Sequence, residues 1–148
     1  MSADIGSVLA EQRAVVTLLM KRCQATDQPT PTGVESFLQA LFGHMTVLER
    51  VVLPALGRSK HAGGVAAALR ISAAHLAKTL AEQRVDSHLC DSIPLLFVAE
   101  TLLLRDAPHV VDRRILPSLA EDAERQFLVF LASDEPSEVR AASLSLWS

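Results

Sequence analysis

The chain has no tyrosine, one tryptophan and five phenylalanines in 148 residues. So little aromatic mass argues against a ring-filled β-sandwich and leaves aliphatic side chains to build the core. Its two cysteines are too few for a disulfide scaffold. No basic run is present and the net charge is −3. That gives no electrostatic footprint for nucleic acid or for an anionic membrane surface. The N-terminus lacks a basic segment followed by an apolar one, so no signal peptide is expected. The longest apolar run, 93–104, is interrupted by Glu100 and is too short to span a bilayer. A cytoplasmic protein is the expectation. No Gly-rich phosphate loop, Ser/His/Asp order or Cys-x-x-Cys pair occurs.

What is present is aliphatic periodicity. Apolar residues make up 49% of the chain, and the length suits a single domain over 1–148. Ile5, Val8, Val15, Val16, Leu19 and Cys23 recur at helical spacing over about 4–23, with Gln12 as a polar member in mid-stripe. After a Pro- and Thr-rich loop, Thr32 and Glu35 fit a capping box. It predicts a second helix whose stripe runs through Val34, Phe37, Leu38, Leu41, His44, Met45, Leu48 and Val52. A third helix over about 65–84 carries His75 in its stripe. Ser92 and Pro94 suit the start of a fourth. Its 93–104 stretch is apolar nearly all round, which predicts burial on more than one side. Pro108 is expected to kink it. An amphipathic piece follows over 118–132, and a short last helix is expected over 134–147.

Four long helices with short loops predict an all-α, up-down-up-down four-helix bundle with a kinked, long fourth helix. The bundle contains an internal repeat. Val52-Leu53-Pro54-Ala55-Leu56 returns as Ile115-Leu116-Pro117-Ser118-Leu119, 63 positions later. The same offset equates Gln12 with His75, His44 with Ala107, Leu48 with Val111, and Glu49 with Asp112. The repeat halves are two helical hairpins, about 5–57 and 65–120.

With those residues in place, the sequence resembles the hemerythrin-like (HHE cation-binding) family. That family's helix pattern His-x-x-x-Glu-Glu-x-x-Leu-x-Pro-x-Leu occurs twice, each copy after a helix carrying one histidine. The resemblance implies a four-helix bundle and, in ordinary members, a non-heme di-iron centre between the helices. It places the family's histidine positions at Gln12, His44, His75 and Ala107, and its carboxylate positions at Leu48 and Val111. Only His44 and His75 keep a ligand, so no bound metal or other cofactor is expected. The alternative is a reduced iron site of His44, His75, Glu49 and Asp112, because a carboxylate five residues after the histidine also bridges iron in the family.

Other candidates come from the residues themselves. Gln12, His44 and His75 could line a small-molecule pocket, with the Gln12 amide bonded to an imidazole. Glu100, if buried, could work with His44 and His75 as an acid/base group. His109 and Asp112 share a helix face as a surface pair. Cys23 and Cys90 fall at the same end of an up-down bundle, either as a redox pair or as unpaired buried thiols. Three functions stay open. One is a binding or sensing module with a degenerate metal site. Another is an enzyme using the same cavity, as a reduced-ligand iron oxidase or a metal-free catalyst. The third is an interaction protein that presents 93–104 to a partner or to a second copy of itself.

Overall fold

The computed structural model describes residues 4–82 and 84–132; the helix expected over 134–147 lies outside them. All regular structure in the described residues is helical. The elements are α1 (Ile5–Gln24), α2 (Pro31–Val47), a π-helical turn (Leu48–Val52), α3 (Leu53–Leu56), α4 (Ala62–Glu82), α5 (Ser87–Val110) and α6 (Leu116–Leu131). Since α2, the π turn and α3 follow without a break, the described residues form five helical rods, one more than the four-helix expectation.

The helix starts are set by local chemistry. Asp4 caps α1, accepting the Ser7 N–H at 2.8 Å. The cap of α2 is Thr30 rather than Thr32, and its hydroxyl accepts the Gly33 N–H at 3.0 Å. Pro31 explains the shift: its fixed φ and missing N–H suit the first helical position, so the helix begins on it. α5 starts at Ser87, earlier than Pro94 suggested. Asp86 caps it by accepting the His88 N–H at 2.7 Å, which leaves Pro94 inside the helix.

That cap has a pH signature. The His88 N–H, helped by the charges of Lys78, His88 and His75, holds the Asp86 carboxyl below its ordinary value, against the opposing effect of burial. A carboxyl depressed in the folded state adds stability above its unfolded pKa and loses it as pH falls through the folded one. Asn caps equally well without the charge. Asp86→Asn should therefore lower the thermal midpoint at about pH 6, and the difference from wild type should shrink as pH falls below the ordinary carboxyl value of about 4. Thermal melts across that range check it.

Pro54 accounts for the π turn. It cannot donate a hydrogen bond, and its ring would crowd the carbonyl one turn back. The chain widens just before it, and the Leu53 N–H reaches the Leu48 carbonyl. Leu48 stays fully buried, and Glu49 sits half-buried beside it.

α2 is the central rod. Every residue from Ala40 to Leu48 is buried, so this helix is covered on all sides. α1 and α6 pack against it and against each other, while α4 and α5 form a separate antiparallel hairpin. α1 and α3 bring that hairpin onto the rest. The core between them is aliphatic, with Leu9, Leu41, Met45, Leu76, Leu96 and Leu103 all fully buried.

The fourth helix does not continue through Pro108 as one kinked rod. Pro108 lies in the last turn of α5, which ends at Val110 with the Val111 N–H on the Ala107 carbonyl. The chain turns over 111–115 and restarts as α6, with Pro117 in the first turn. Ala107, one residue before Pro108, is buried and inward-facing. By length and composition α5 is apolar enough to cross a membrane, with mean hydropathy 1.4 over 18 residues. Its inward face is nonetheless core, with Leu89, Ile93, Leu96 and Leu103 fully or almost fully buried.

Candidate functional site

The densest polar chemistry in the interior gathers on His44. Its position follows from the helix period: it occupies the α2 stripe between Leu41 and Leu48 and is fully buried. From α1, Gln12 enters the same layer, also buried. Its Nε2 donates to the Ala123 carbonyl of α6 at 3.0 Å, which turns Oε1 toward His44 Nδ1 at 2.8 Å. An amide oxygen only accepts, so Nδ1 carries the hydrogen. On the other side, His44 Nε2 lies 2.9 Å from Glu100 Oε2 of α5. Arg13 Nη1 donates to Glu100 Oε1 at 2.8 Å. The Phe97 ring meets the imidazole edge-on, with centroids 5.8 Å apart.

One proton must lie between Nε2 and Oε2, since both atoms are acceptors without it. Whether that proton rests on nitrogen or oxygen, His44 and Glu100 together are neutral. Arg13 supplies the remaining positive charge, and its side chain is about one-fifth exposed. The cluster ties α1, α2 and α5 together through side chains and α6 through its backbone. Its centre is closed to solvent: His44 and Glu100 have no exposed surface. Among the surface clefts of the described residues, a small one of about 180 Å³ between α1 and α6 touches Gln12, but neither His44 nor Glu100 lines it.

The remaining sequence candidates lie elsewhere. His75 is half-buried in the α4–α5 seam and stacks on His88, with centroids 5.9 Å apart. It does not join His44, so the pocket expected from Gln12, His44 and His75 reduces to Gln12 and His44. The acid/base set of His44, His75 and Glu100 likewise reduces to His44 and Glu100. Asp112 is an exposed turn residue that accepts the Arg114 N–H at 2.9 Å, and His109 is exposed nearby. Among the described residues no three His, Cys, Asp or Glu side chains converge as a metal group would need. His44 already has both ring nitrogens engaged, and Leu48 and Ala107 bring no donor. These residues do not fit an iron pair, nor do His44, His75, Glu49 and Asp112 assemble the reduced set.

Arg13 is the member that periodicity misses. It stands one residue off the α1 stripe and reads as a surface charge. The signal that could have found it is Glu100: a carboxylate in an apolar run needs a cationic or donor partner. Cys23 and Cys90 do share one end of the molecule, where both border a cleft of about 500 Å³. Both are buried free thiols. Burial pushes each thiol above its ordinary value, and the charges of Asp91, Cys23 and Asp86 push Cys90 further. Such thiols are protonated and poorly nucleophilic.

The described residues thus form five helical rods clasped by one polar cluster whose centre, His44 and Glu100, is closed to solvent. Comparison with family models, with curated proteins and with solved structures gives no match to it.

Proposed function

We propose that this chain is a helical interaction module rather than a catalyst: it presents the outer face of α5 to an apolar protein surface. The observation that carries the reading is the contrast between a closed interior and an open apolar stripe. Leu95 is 65% exposed, Val98 60% and Leu102 36%, at helical spacing on the side opposite the buried Leu96, Glu100 and Leu103. Solvated apolar stripes of this kind usually mark interaction sites. Catalysis by His44 and Glu100 would need a route for substrate, and neither has exposed surface.

The hemerythrin-like ancestry is part of this proposal. Gln12, His44, His75 and Ala107 fall on α1, α2, α4 and α5, the order the repeat requires. In this reading the inherited four-helix core has exchanged its metal layer for Leu48, Ala107 and the His44 cluster, and α6 has been added against α1 and α2. The inner cluster then fixes how the helices sit, and the outer face of α5 carries the function.

A photo-reactive phenylalanine analogue tests the reading. Placed at position 98 of the full chain in cells, it should give covalent adducts on illumination. The same probe at Glu124, which is exposed on α6, should give few. Adduct levels at 98 no higher than at 124 would remove the interaction reading.

A further inference from the structure

We infer that the partner of the α5 face is the α5 face of a second copy of this chain, crossing antiparallel about Val98. This rests on the interaction-module reading and specifies its partner. The argument comes from what lies at the two ends of the stripe. Asp91 and Arg105 are both exposed and each stands seven residues from Val98, on the same side of the helix. Between them the outward positions are Pro94, Leu95, Val98, Thr101 and Leu102, none charged. The face is therefore apolar in its middle, acidic at one end and basic at the other, with Val98 at the midpoint.

Such a pattern complements itself in one direction only. Two antiparallel copies paired at Val98 set Asp91 of each against Arg105 of the other, twice over, while Leu95 and Leu102 pack on either side of the axis. A two-fold interface of this kind uses the same patch on both subunits. Parallel pairing would oppose Asp91 to Asp91 and Arg105 to Arg105, which disfavours it. The stretch 91–105 covers fifteen residues, about 21 Å of helix from end to end. That is a small contact, so a weak dimer is expected, with a dissociation constant of roughly tens of micromolar. A lipid surface fits less well, because the stripe has an acidic end and the chain is net negative.

Sedimentation equilibrium on the full chain up to about 500 µM should show a monomer–dimer equilibrium in that range. Val98→Glu opposes two carboxylates on the axis and should weaken the dimer by about 100-fold. Position 98 is well exposed, so an unchanged thermal midpoint should show that the fold survives. Asp91→Arg and Arg105→Asp should each weaken it by about tenfold, and the double swap should restore wild-type affinity. A strict monomer, or single swaps without effect, would overturn the inference. The cross-linker at position 98 separates its failure from that of the parent reading. An adduct of twice the chain mass supports self-pairing. Adducts of other masses, internal links to 133–148 at single-chain mass, or flotation with phosphatidylcholine vesicles would each overturn it. The first of these leaves the interaction module standing, and absence of any adduct removes both.

Discussion

Glu100→Ala is expected to lower the unfolding free energy by about 3–5 kcal/mol, because it leaves buried groups without the partner they were placed for. His44 loses its partner at Nε2, and the Arg13 guanidinium loses its carboxylate. Against a typical total of about 5–15 kcal/mol, that is a large share of the stability. Glu100→Gln keeps an oxygen for Arg13 and an N–H for a neutral His44, so its cost should be smaller, about 1–3 kcal/mol. Arg13→Ala should cost least, since water already reaches part of that side chain. Urea unfolding of the three variants gives the ranking. Equal losses for alanine and glutamine would show that hydrogen bonding at Glu100 is not what holds the helices. A loss below about 1 kcal/mol in the alanine variant would remove the cluster as a clasp.

Gly43→Leu is expected to undock α6 from the central rod, at a cost of about 1–3 kcal/mol or more. A Cβ at Gly43 would stand 3.2 Å from Phe130 Cδ1 and 3.4 Å from Phe127 Cδ2. The absent side chain is what lets α6 lie this close to α2. Phe42 and Phe130 then meet with centroids 4.9 Å apart, and Gln39 donates to the last carbonyls of α6, those of Phe130 and Leu131. A leucine cannot share that space. Gly43→Ala should be nearly neutral, since the gain of about 1 kcal/mol in helix propensity is offset by a small shift of the half-buried Phe130 ring. Amide hydrogen exchange should show the leucine variant losing protection over 116–131 more than elsewhere. Uniform loss across all helices would mean that α6 is not a separable layer.

The helix content and the candidate site were legible to different depths. α1, α2, α4 and α6 declare themselves through apolar period, α5 as a run apolar nearly all round, and α1 starts within a residue of the expectation. The starts of α2 and α5 were misplaced because two residues competed for each cap. Thr30 with Pro31 prevailed over Thr32, and Asp86 prevailed over Ser92, through contacts that a spacing rule does not rank. The all-round apolar stretch 93–104 was expected to be buried on more than one side. It is buried on one, and its outer side is solvated, because α6 turned back onto α1 and α2 rather than covering α5.

By itself the sequence determined that the chain is helical, that Gln12 and His44 point inward, and that Leu48, Ala107 and Val111 cannot serve a metal. Those outcomes follow from side-chain type and a period of 3.6, which are local properties. Only the tertiary structure decided the partners. Gln12 and His44 are 32 residues apart, His44 and Glu100 are 56, and Arg13 and Glu100 are 87. Contacts at such separations depend on how each rod is rotated and at what height it packs. Gly43, the π turn before Pro54 and the stop after Pro108 set those rotations. The same packing left His75 with His88 rather than with His44, and it left one face of α5 open to solvent.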